Sequence, residues 1–203
     1  MVDRPNNKVI GIVGSYRKNG IIDSVVTEVL ASAAKTGAKT EKIYLKDYRI
    51  EFCTNCRKCL QKPGVKRGQC ILEDDMESIL DRIDNASYLV IGAPVNFGNI
   101  NALTQQFLER CVCYGYWPWA ENMPQIRRKI KTKKAILVSA SAAPAFMGRM
   151  LTGVITSLKR LADLLGAKTI GIIWVGLVNR ENIELPEKTI QKARNLGQKL
   201  VAV

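Results

Sequence analysis

The sequence contains no histidine, few acidic residues and no long hydrophobic run. Without histidine there is no imidazole for acid–base catalysis and no histidine ligand for a metal. No apolar stretch approaches the ~18 residues that a membrane-spanning helix needs, and the polar start MVDRPNN lacks the hydrophobic segment of a signal peptide. We therefore expect a cytoplasmic protein without a membrane partner, in a compartment where thiols stay reduced.

The 18 acidic residues are outnumbered by 31 lysines and arginines, which gives a formal net charge of +13. Such an excess favours anionic partners, among them phosphorylated small molecules, acidic proteins and nucleic acid. Nucleic acid is suggested by the charge and by no other feature of the sequence, so we do not expect it as a partner. The densest basic run, residues 127–134, precedes an apolar strand pattern, and we expect it to be a solvated connection.

The length of 203 residues favours a single domain spanning residues 1–203. Short apolar runs alternate with longer segments of helical period, which is typical of βαβ units around a parallel sheet. The five runs that predict strands lie at residues 8–13, 40–45, 87–93, 134–139 and 168–175. They predict an α/β fold, a three-layer α/β/α sandwich around a five-stranded parallel sheet. Two strand orders suit this count, and the short length favours the flavodoxin-like order 2-1-3-4-5 over a six-stranded dinucleotide-binding fold. In such a sheet, ligands bind outside the carboxyl ends of the strands.

Apolar residues at helical spacing predict the helices between these strands. The patterns begin at Val25, Met76, Leu103 and Met150, the last of them continuing to Leu165, and a final helix opens at Pro186. Asp74 followed by Glu77 predicts a capping box at the start of the second helix.

The loop after the first predicted strand, GSYRKNG at residues 14–20, leads directly into a helix. Such a turn offers an anion backbone N–H groups and a helix N-terminus, while Ser15 adds a hydroxyl and Arg17 a charged fork. The loop matches neither of two familiar nucleotide-binding motifs. Asn19 stands where G-x4-G-K-[ST] needs its second glycine, and Tyr16 stands where G-x-G-x-x-G needs its second glycine. The loop predicts a phosphate site, and the alternative is a plain tight turn.

The loop after the third predicted strand, GAPVNFGNIN at residues 92–101, combines proline, two glycines and three asparagines. Its amides can hydrogen-bond a planar heteroaromatic ring, and Phe97 adds an apolar face. The alternative is an ordinary turn in which asparagine tolerates left-handed backbone. After the fourth strand, small residues at 139–143 either let a flat ligand approach closely or form an unspecialised loop.

Taken together, GSYRKNG, the cysteine-rich segment before Asp74 and GAPVNFGNINALTQQFLER resemble the NADPH-dependent FMN reductases of the flavodoxin-like superfamily, especially its iron-sulfur flavoproteins. The resemblance spans roughly residues 8–175. It implies FMN as cofactor and NAD(P)H as co-substrate. The contacts it implies are Ser15, Arg17, Lys18 and Gly20 at the FMN phosphate, Pro94, Val95, Asn96, Phe97 and Gly98 along the flavin, and Ser139, Ala140 and Ser141 at the other edge of the ring.

Four of the six cysteines, Cys53, Cys56, Cys59 and Cys70, form a C-x2-C-x2-C-x10-C pattern. A compact triplet with a more distant fourth cysteine is typical of a [4Fe-4S] cluster, and the iron-sulfur flavoproteins carry it with a shorter last gap. A structural zinc ion also accepts four thiolates, although such sites more often use two separated pairs. The third interpretation is that no metal binds and the thiols are free or redox-active.

These features favour an FMN-dependent oxidoreductase that passes electrons from NAD(P)H or a ferredoxin-type donor through FMN. A cysteine-bound cluster would be a further carrier on the way to a quinone, flavin or protein acceptor. The alternative is an electron-carrier module without substrate turnover of its own. We expect a homodimer or homotetramer, because the aromatic stretch at residues 114–119 suits a subunit contact as well as a flavin cover.

Overall fold

The computed structural model describes residues 7–179 and 184–202. The strands are β1 (Lys8–Val13), β2 (Lys39–Tyr44), β3 (Tyr88–Asn96), β4 (Asn99–Ile100), β5 (Gly115–Tyr116), β6 (Gln125–Ile126), β7 (Lys133–Ala140) and β8 (Ala167–Val175). The α-helices are α1 (Ile21–Lys35), α2 (Met76–Asp84), α3 (Ala102–Arg110), α4 (Ala145–Leu151), α5 (Val154–Leu164) and α6 (Glu187–Val201). Short 3₁₀ turns lie at Leu45–Asp47, Lys58–Leu60 and Cys111–Tyr114.

The five long strands form one parallel sheet in the order β2-β1-β3-β7-β8. This confirms the predicted order 2-1-3-4-5. The third strand runs three residues beyond its predicted end, because Val95 and Asn96 pair antiparallel with β4 across a tight turn. The remaining strands, β5 and β6, form a separate two-stranded ribbon.

Helices cover both faces of the sheet, which confirms the three-layer arrangement. One apolar core joins α1 and α6 to the sheet, and the other joins α2, α3 and α5 to the opposite face. Because β1, β3 and β7 are buried on both faces, their side chains form near-continuous apolar runs. In the described residues no helix is long and apolar enough to cross a membrane.

The helix predicted from Met150 to Leu165 is in fact two helices. The chain leaves helical geometry at Thr152, whose φ and ψ are −120° and 152°. Gly153 then donates its N–H to the carbonyl of Gly98 at 2.8 Å before α5 begins. A hydrogen bond to a distant loop thus replaces a helical one, and Met150 and Leu151 are left exposed.

The capping box predicted at Asp74 and Glu77 does not form. The N-cap of α2 is Asp75, and the Glu77 carboxylate pairs with Arg67 at 2.5 Å instead of turning back to the helix start. The Asp74 carboxylate accepts a hydrogen bond from the N–H of Met76 at 3.1 Å, and it also forms an ion pair with the buried Arg110.

The expectation that residues 127–134 form a solvated connection is wrong for three of its cations. Arg127 donates to four backbone carbonyls, and Arg128 pairs with Asp84 at 2.9 Å. Lys133 is buried and donates to the carbonyls of Ile83 at 3.1 Å and Asp84 at 2.9 Å, at the carboxyl end of α2. Burial lowers the pKa of Lys133 to about 8. Tertiary acceptors, which a local charge pattern does not reveal, draw these side chains inward.

Candidate functional site

Three loops meet at the carboxyl ends of the parallel strands and enclose a cleft of about 680 Å³. They follow β1, β3 and β7, and this is where ligands bind in such a sheet. Eight of the residues predicted to contact FMN line the cleft: Ser15, Arg17, Gly20, Pro94, Val95, Asn96, Ala140 and Ser141. The volume is within the ~300–1,000 Å³ range of small-molecule and cofactor sites.

The N-terminus of α1 faces this cleft without a side-chain cap. Gly20 occupies the N-cap position, and no acceptor in the described part of the chain pairs with the N–H groups of Ile21 and Ile22. Arg17 is exposed beside them, and its own N–H is held by Ser15 Oγ at 3.1 Å. Free N–H groups, a helix dipole and a guanidinium together offer a position for an anion.

Asp23, in the first turn of α1, fixes this loop from behind. Its carboxylate accepts hydrogen bonds from the Asn19 N–H at 2.7 Å and from Lys42 Nζ at 2.6 Å. The Tyr44 hydroxyl adds a third at 3.0 Å. Burial alone would raise the pKa of Asp23, but these hydrogen bonds outweigh it and the pKa is lowered. The ionised Asp23 therefore holds Asn19 in the left-handed region, at φ 60°.

Lys18 does not line the cleft. Its Nζ pairs with Asp47 at 2.6 Å and lies 5.0 Å from the centre of the Tyr44 ring. A contact from Lys18 to a phosphate stays a prediction, and it requires the side chain to leave Asp47.

The first loop is tied to the neighbouring strand through Gly14. Its N–H donates to the Gly92 carbonyl at 2.7 Å, and its carbonyl accepts from Asn101 Nδ2 at 2.7 Å. The Thr104 hydroxyl donates to the same carbonyl at 3.2 Å. A Cβ at position 14 would lie only 2.0 Å from Thr104 Oγ1, so this close approach requires glycine.

The turn between β3 and β4 places Phe97 at the rim of the site. Both turn residues, Phe97 and Gly98, have positive φ, at 45° and 76°, which matches the tight hairpin turn expected between paired strands. The Phe97 ring is fully exposed, and neither residue lines the cleft. The predicted flavin contacts that reach the cleft from this loop are therefore Pro94, Val95 and Asn96.

The loop after β7 uses its serine side chains internally. The Ser141 hydroxyl accepts from Trp174 Nε1 at 2.9 Å and donates to the Ala143 carbonyl at 2.9 Å. Ser139 is fully buried, and its hydroxyl has no partner in the described part of the chain. The wall of the cleft here is formed by residues 140–142.

The four clustered cysteines converge at a second position. Cys53, Cys56, Cys59 and Cys70 all line one small hollow with a free volume of about 20 Å³. Burial raises the pKa of the Cys59 thiol to about 11, and the other three thiols raise it further by their proximity. The Lys58 N–H lowers the pKa of Cys56. Among the residues that the structure describes, no three Cys, Asp or Glu side chains are grouped closely enough to hold a single metal ion.

Arg110 brings a buried positive charge to this hollow. Its guanidinium and the Asp74 carboxylate form an ion pair in which each side chain is 1% exposed. Arg110 Nη2 lies 3.5 Å from Cys70 Sγ, and Nη1 donates to the Glu51 carbonyl at 2.8 Å. Arg110 was not predicted as a site residue, because only the fold brings it to Cys70.

Arg57 anchors the segment that carries the first three cysteines. Its backbone is left-handed, at φ 58°, and its guanidinium lies between two indole rings. The distances from the guanidinium carbon to the ring centres are 3.7 Å for Trp117 and 4.2 Å for Trp119. Stacking of this kind stabilises a cation. Two tryptophans of the aromatic stretch at residues 114–119 therefore hold in place the segment that carries Cys53, Cys56 and Cys59.

Helix α3 joins the two positions. Its N-cap, Asn101, lies at the cleft, and its last residue, Arg110, lies at the cysteine hollow. The two are nine residues apart, or about 13 Å along the axis at 1.5 Å per residue.

A family model described as NADPH-dependent FMN reductase matches residues 7–182, which include every strand of the parallel sheet. The chain belongs to the NADPH-dependent FMN reductase family. This confirms the resemblance drawn from the three loops. Several curated relatives of the chain are named iron-sulfur flavoproteins.

An iron-sulfur flavoprotein of Archaeoglobus fulgidus is 30% identical to this chain over 111 residues. The matched segment covers 55% of the length of this chain and 48% of the length of the relative. One of Methanocaldococcus jannaschii is 35% identical over 103 residues, 51% of each protein. The chain thus spans about half the length of the curated relatives it matches. Among solved structures, an NAD(P)H:quinone oxidoreductase from Methanothermobacter marburgensis has a TM-score of 0.72 at 17% identity, over 95% of this chain and 98% of that one.

Several residues that were not predicted to contact FMN also line the cleft of this FMN reductase family member: Tyr16, Asn19, Ile21, Ile22, Asn101, Val178 and Glu184. The Tyr16 hydroxyl accepts from the Leu103 N–H at 3.2 Å, which ties the first loop to α3. Asn101 was detectable, because an asparagine before a helical pattern is a favoured N-cap. Val178 and Glu184 reach the cleft from beyond the last strand, and no local pattern marks them.

Proposed function

We propose that the chain is an FMN-dependent oxidoreductase that takes electrons from NAD(P)H. The observation that carries this proposal is the cleft at the ends of β1, β3 and β7, with the uncapped start of α1 at one side. Membership of the NADPH-dependent FMN reductase family supports it. FMN, when bound, supplies the hydride and electron chemistry of the reaction, and the protein supplies binding and orientation.

The residues at the cleft fit FMN at both ends. Arg17 and the free N–H groups of Ile21 and Ile22 would bind the phosphate, since they are the unpaired donors at the helix start. Pro94, Val95 and residues 140–142 present backbone and small apolar groups, which suit the flat face and edge of a flavin. Tyr16 lines the same cleft, precedes Arg17 in the chain and would cover the phosphate end.

The phosphate assignment is tested by comparing two flavins that differ only in the phosphate. Losing one charge-assisted hydrogen bond costs about 1.5–3 kcal/mol, so Arg17→Gln is expected to weaken FMN binding by about 10- to 100-fold. Riboflavin affinity should change by less than about twofold, because riboflavin has no phosphate. Fluorescence titration measures both. Arg160→Gln, an exposed arginine on α5, is the matched control. Equal losses for FMN and riboflavin, or no flavin affinity in the parent, would overturn the proposal.

Turnover distinguishes an enzyme from a carrier of the same fold. The FMN-loaded enzyme should oxidise NADH or NADPH continuously when a quinone or free flavin is supplied as acceptor. An electron carrier would be reduced once and then stop. Steady-state absorbance at the nicotinamide band, with and without acceptor, separates the two, and single-turnover behaviour with every acceptor would favour the carrier.

We propose further that Cys53, Cys56, Cys59 and Cys70 hold a [4Fe-4S] cluster. The names of the curated iron-sulfur flavoprotein relatives support this, as does the convergence of all four thiols on one hollow. Four thiolates are the donor set that such a cluster takes, one for each iron. Arg110 would offset the negative charge at Cys70. The cytoplasm, where thiols stay reduced, is the compartment this site requires.

Iron and sulfide analysis after anaerobic reconstitution tests the cluster. About four irons per chain and a broad visible absorbance are expected for the parent, and fewer irons for Cys70→Ser. Cys111→Ser is the control, because Cys111 is fully buried and does not line the hollow. One zinc per chain, or no metal, would refute the assignment and leave the flavin proposal standing.

We infer that two copies of the chain associate beside the cleft. Exposed apolar side chains gather there: Phe97, Phe146, Met150, Leu151 and Leu177. The hydrogen bonds Gly153 to Gly98 at 2.8 Å and Leu177 to Ala143 at 3.1 Å join the segments that carry them. An exposed apolar patch of this kind marks an interface. Light scattering should give a dimer or tetramer for the parent and a smaller species for Met150→Lys, and a monomeric parent would refute the inference.

A further inference from the structure

The ten residues between Cys59 and Cys70 form a closed loop whose two ends touch. Gly68 donates its N–H to the Cys113 carbonyl at 2.8 Å. A Cβ on Gly68 would lie only 1.7 Å from the Cys59 carbonyl oxygen, so the two backbones are in direct contact. The two ends of this ten-residue segment are therefore close in space although they are far apart along the chain.

Arg127 holds the first half of this loop from the β5–β6 ribbon. Its Nη2 donates to the Cys59 carbonyl at 3.0 Å, and its Nη1 donates to the carbonyls of Lys62 at 2.8 Å and Gly64 at 3.2 Å. Its Nε donates to Gly115 at 2.7 Å. One guanidinium therefore satisfies the Cys59 carbonyl and two loop carbonyls that would otherwise be left to water.

Arg67 holds the second half of the loop against α2. Its guanidinium pairs with Glu77 at 2.5 Å, Asp81 at 2.7 Å and Asp84 at 2.6 Å, and its side chain is 10% exposed. Three carboxylates on one partly desolvated guanidinium form a network, and networks are the arrangement in which ion pairs near a surface contribute to stability.

We propose that residues 60–69, with Arg67 and Arg127 as anchors, form a clasp that keeps Cys59 and Cys70 together in the metal-free chain. The cysteine site is then preformed, and the ten-residue gap spans it without having to fold when a ligand binds. Arg67, Gly68 and Arg127 are positioning residues, because they act through the backbone of the two cysteines. What the cysteines bind rests on the proposed function, but the clasp itself does not.

The proximity of Cys59 and Cys70 can be measured directly in the metal-free, reduced chain of 203 residues. A background with Cys53→Ser and Cys56→Ser leaves these two thiols as the only pair at the hollow. Dibromobimane reacts with two thiolates, each displacing one bromide, and becomes fluorescent only when both arms have reacted. Peptide mapping identifies the bridged pair. Each bridging rate is divided by the rate at which monobromobimane, which has one reactive arm, alkylates the same thiols, so that the normalised rate reports how often the two thiols meet and not how readily Cys59 ionises.

Removing an anchor should slow bridging. Arg127→Gln loses charge-assisted hydrogen bonds to the Cys59 end, and we expect at least about a tenfold slower rate. Gly68→Ala should slow it similarly. Lys66→Gln is the matched control, since it removes the same charge from an exposed position in the same loop, and it should stay within about twofold of the parent.

Two results would overturn the clasp. One is equal bridging rates in Arg127→Gln and the parent, and the other is a parent that bridges no faster than the same chain in urea. If Gly68→Ala does not fold by circular dichroism, Arg127→Gln alone decides. Fast bridging in a chain that takes up no iron would leave the clasp intact and reject only the cluster.

Discussion

The Arg110–Asp74 ion pair offers the sharpest test of how the cysteine hollow is held. Arg110→Met keeps the length and apolar stem of the side chain and removes its charge. Asp74 would remain 1% exposed, with the N–H groups of Glu51 at 2.7 Å and Met76 at 3.1 Å but no cation. Breaking a buried pair from one side costs about 3–5 kcal/mol, because the remaining charge stays desolvated.

That magnitude is measurable in a domain of this size. A loss of about 3–5 kcal/mol corresponds to a fall of roughly 6–20 °C in the melting temperature. Adding Asp74→Asn to Arg110→Met removes the stranded charge, so the double variant should recover at least about 1 kcal/mol relative to the single one. Arg160→Met, on the exposed face of α5, should change stability by less than about 0.5 kcal/mol.

The change of the unfolding free energy with pH gives an independent test of the ion pair. Burial tends to raise the pKa of Asp74, but the Arg110 hydrogen bond and two backbone N–H groups outweigh it, so the pKa is lowered in the folded protein. This stabilisation is present above the unfolded pKa of about 3.9 and is lost as pH falls through the lower folded value. In Arg110→Met burial dominates, the folded pKa exceeds the unfolded one, and the deficit grows as pH rises above about 4.

Urea unfolding of the metal-free, reduced protein at pH 4 and pH 7 measures these differences. The deficit of Arg110→Met should be larger at pH 7 than at pH 4. A deficit below about 1 kcal/mol at pH 7, or one that does not change with pH, would show that Asp74 is not held as a buried anion.

Three further predictions concern other parts of the fold. Gly14→Ala places a methyl group against Thr104 and should weaken FMN binding by at least about tenfold in fluorescence titration, with an unchanged circular dichroism spectrum; a change under twofold would contradict it. The pKa of Lys133, about 8, lies below the ordinary 10.5, so the unfolded chain binds more protons between these values. The free energy of unfolding should therefore rise over that range relative to Lys133→Met, and parallel curves would contradict this. Trp174→Phe removes the donor to the Ser141 hydroxyl and should cost about 1–3 kcal/mol in urea unfolding, whereas no loss would mean that the bond is unimportant.

Much of the fold was predictable because it depends on local periodicity. The apolar runs of β1, β7 and β8 were enough to place these strands to within a residue or two, and Pro186 marked the start of α6, since buried parallel strands and amphipathic helices leave distinct patterns. The apolar spacing of α1 predicted the helix but began at Val25, four residues after its first residue, Ile21. The break at Gly153 was not predictable. The apolar pattern continues through it, and the hydrogen bond to Gly98 that interrupts the helix comes from a residue far away in the sequence.

The candidate site likewise has features that the local sequence predicts and features that depend on tertiary contacts. Residue type and spacing alone indicated a phosphate loop at residues 14–20 and a four-cysteine site, because glycine, arginine and thiol chemistry are local properties. Only the tertiary structure turned Lys18 toward Asp47 and brought Arg110 to Cys70. It also closed the gap between Cys59 and Cys70 by packing Gly68 on the Cys59 carbonyl. Such contacts join residues distant in sequence, and their energies depend on burial and on partners that only the folded chain supplies.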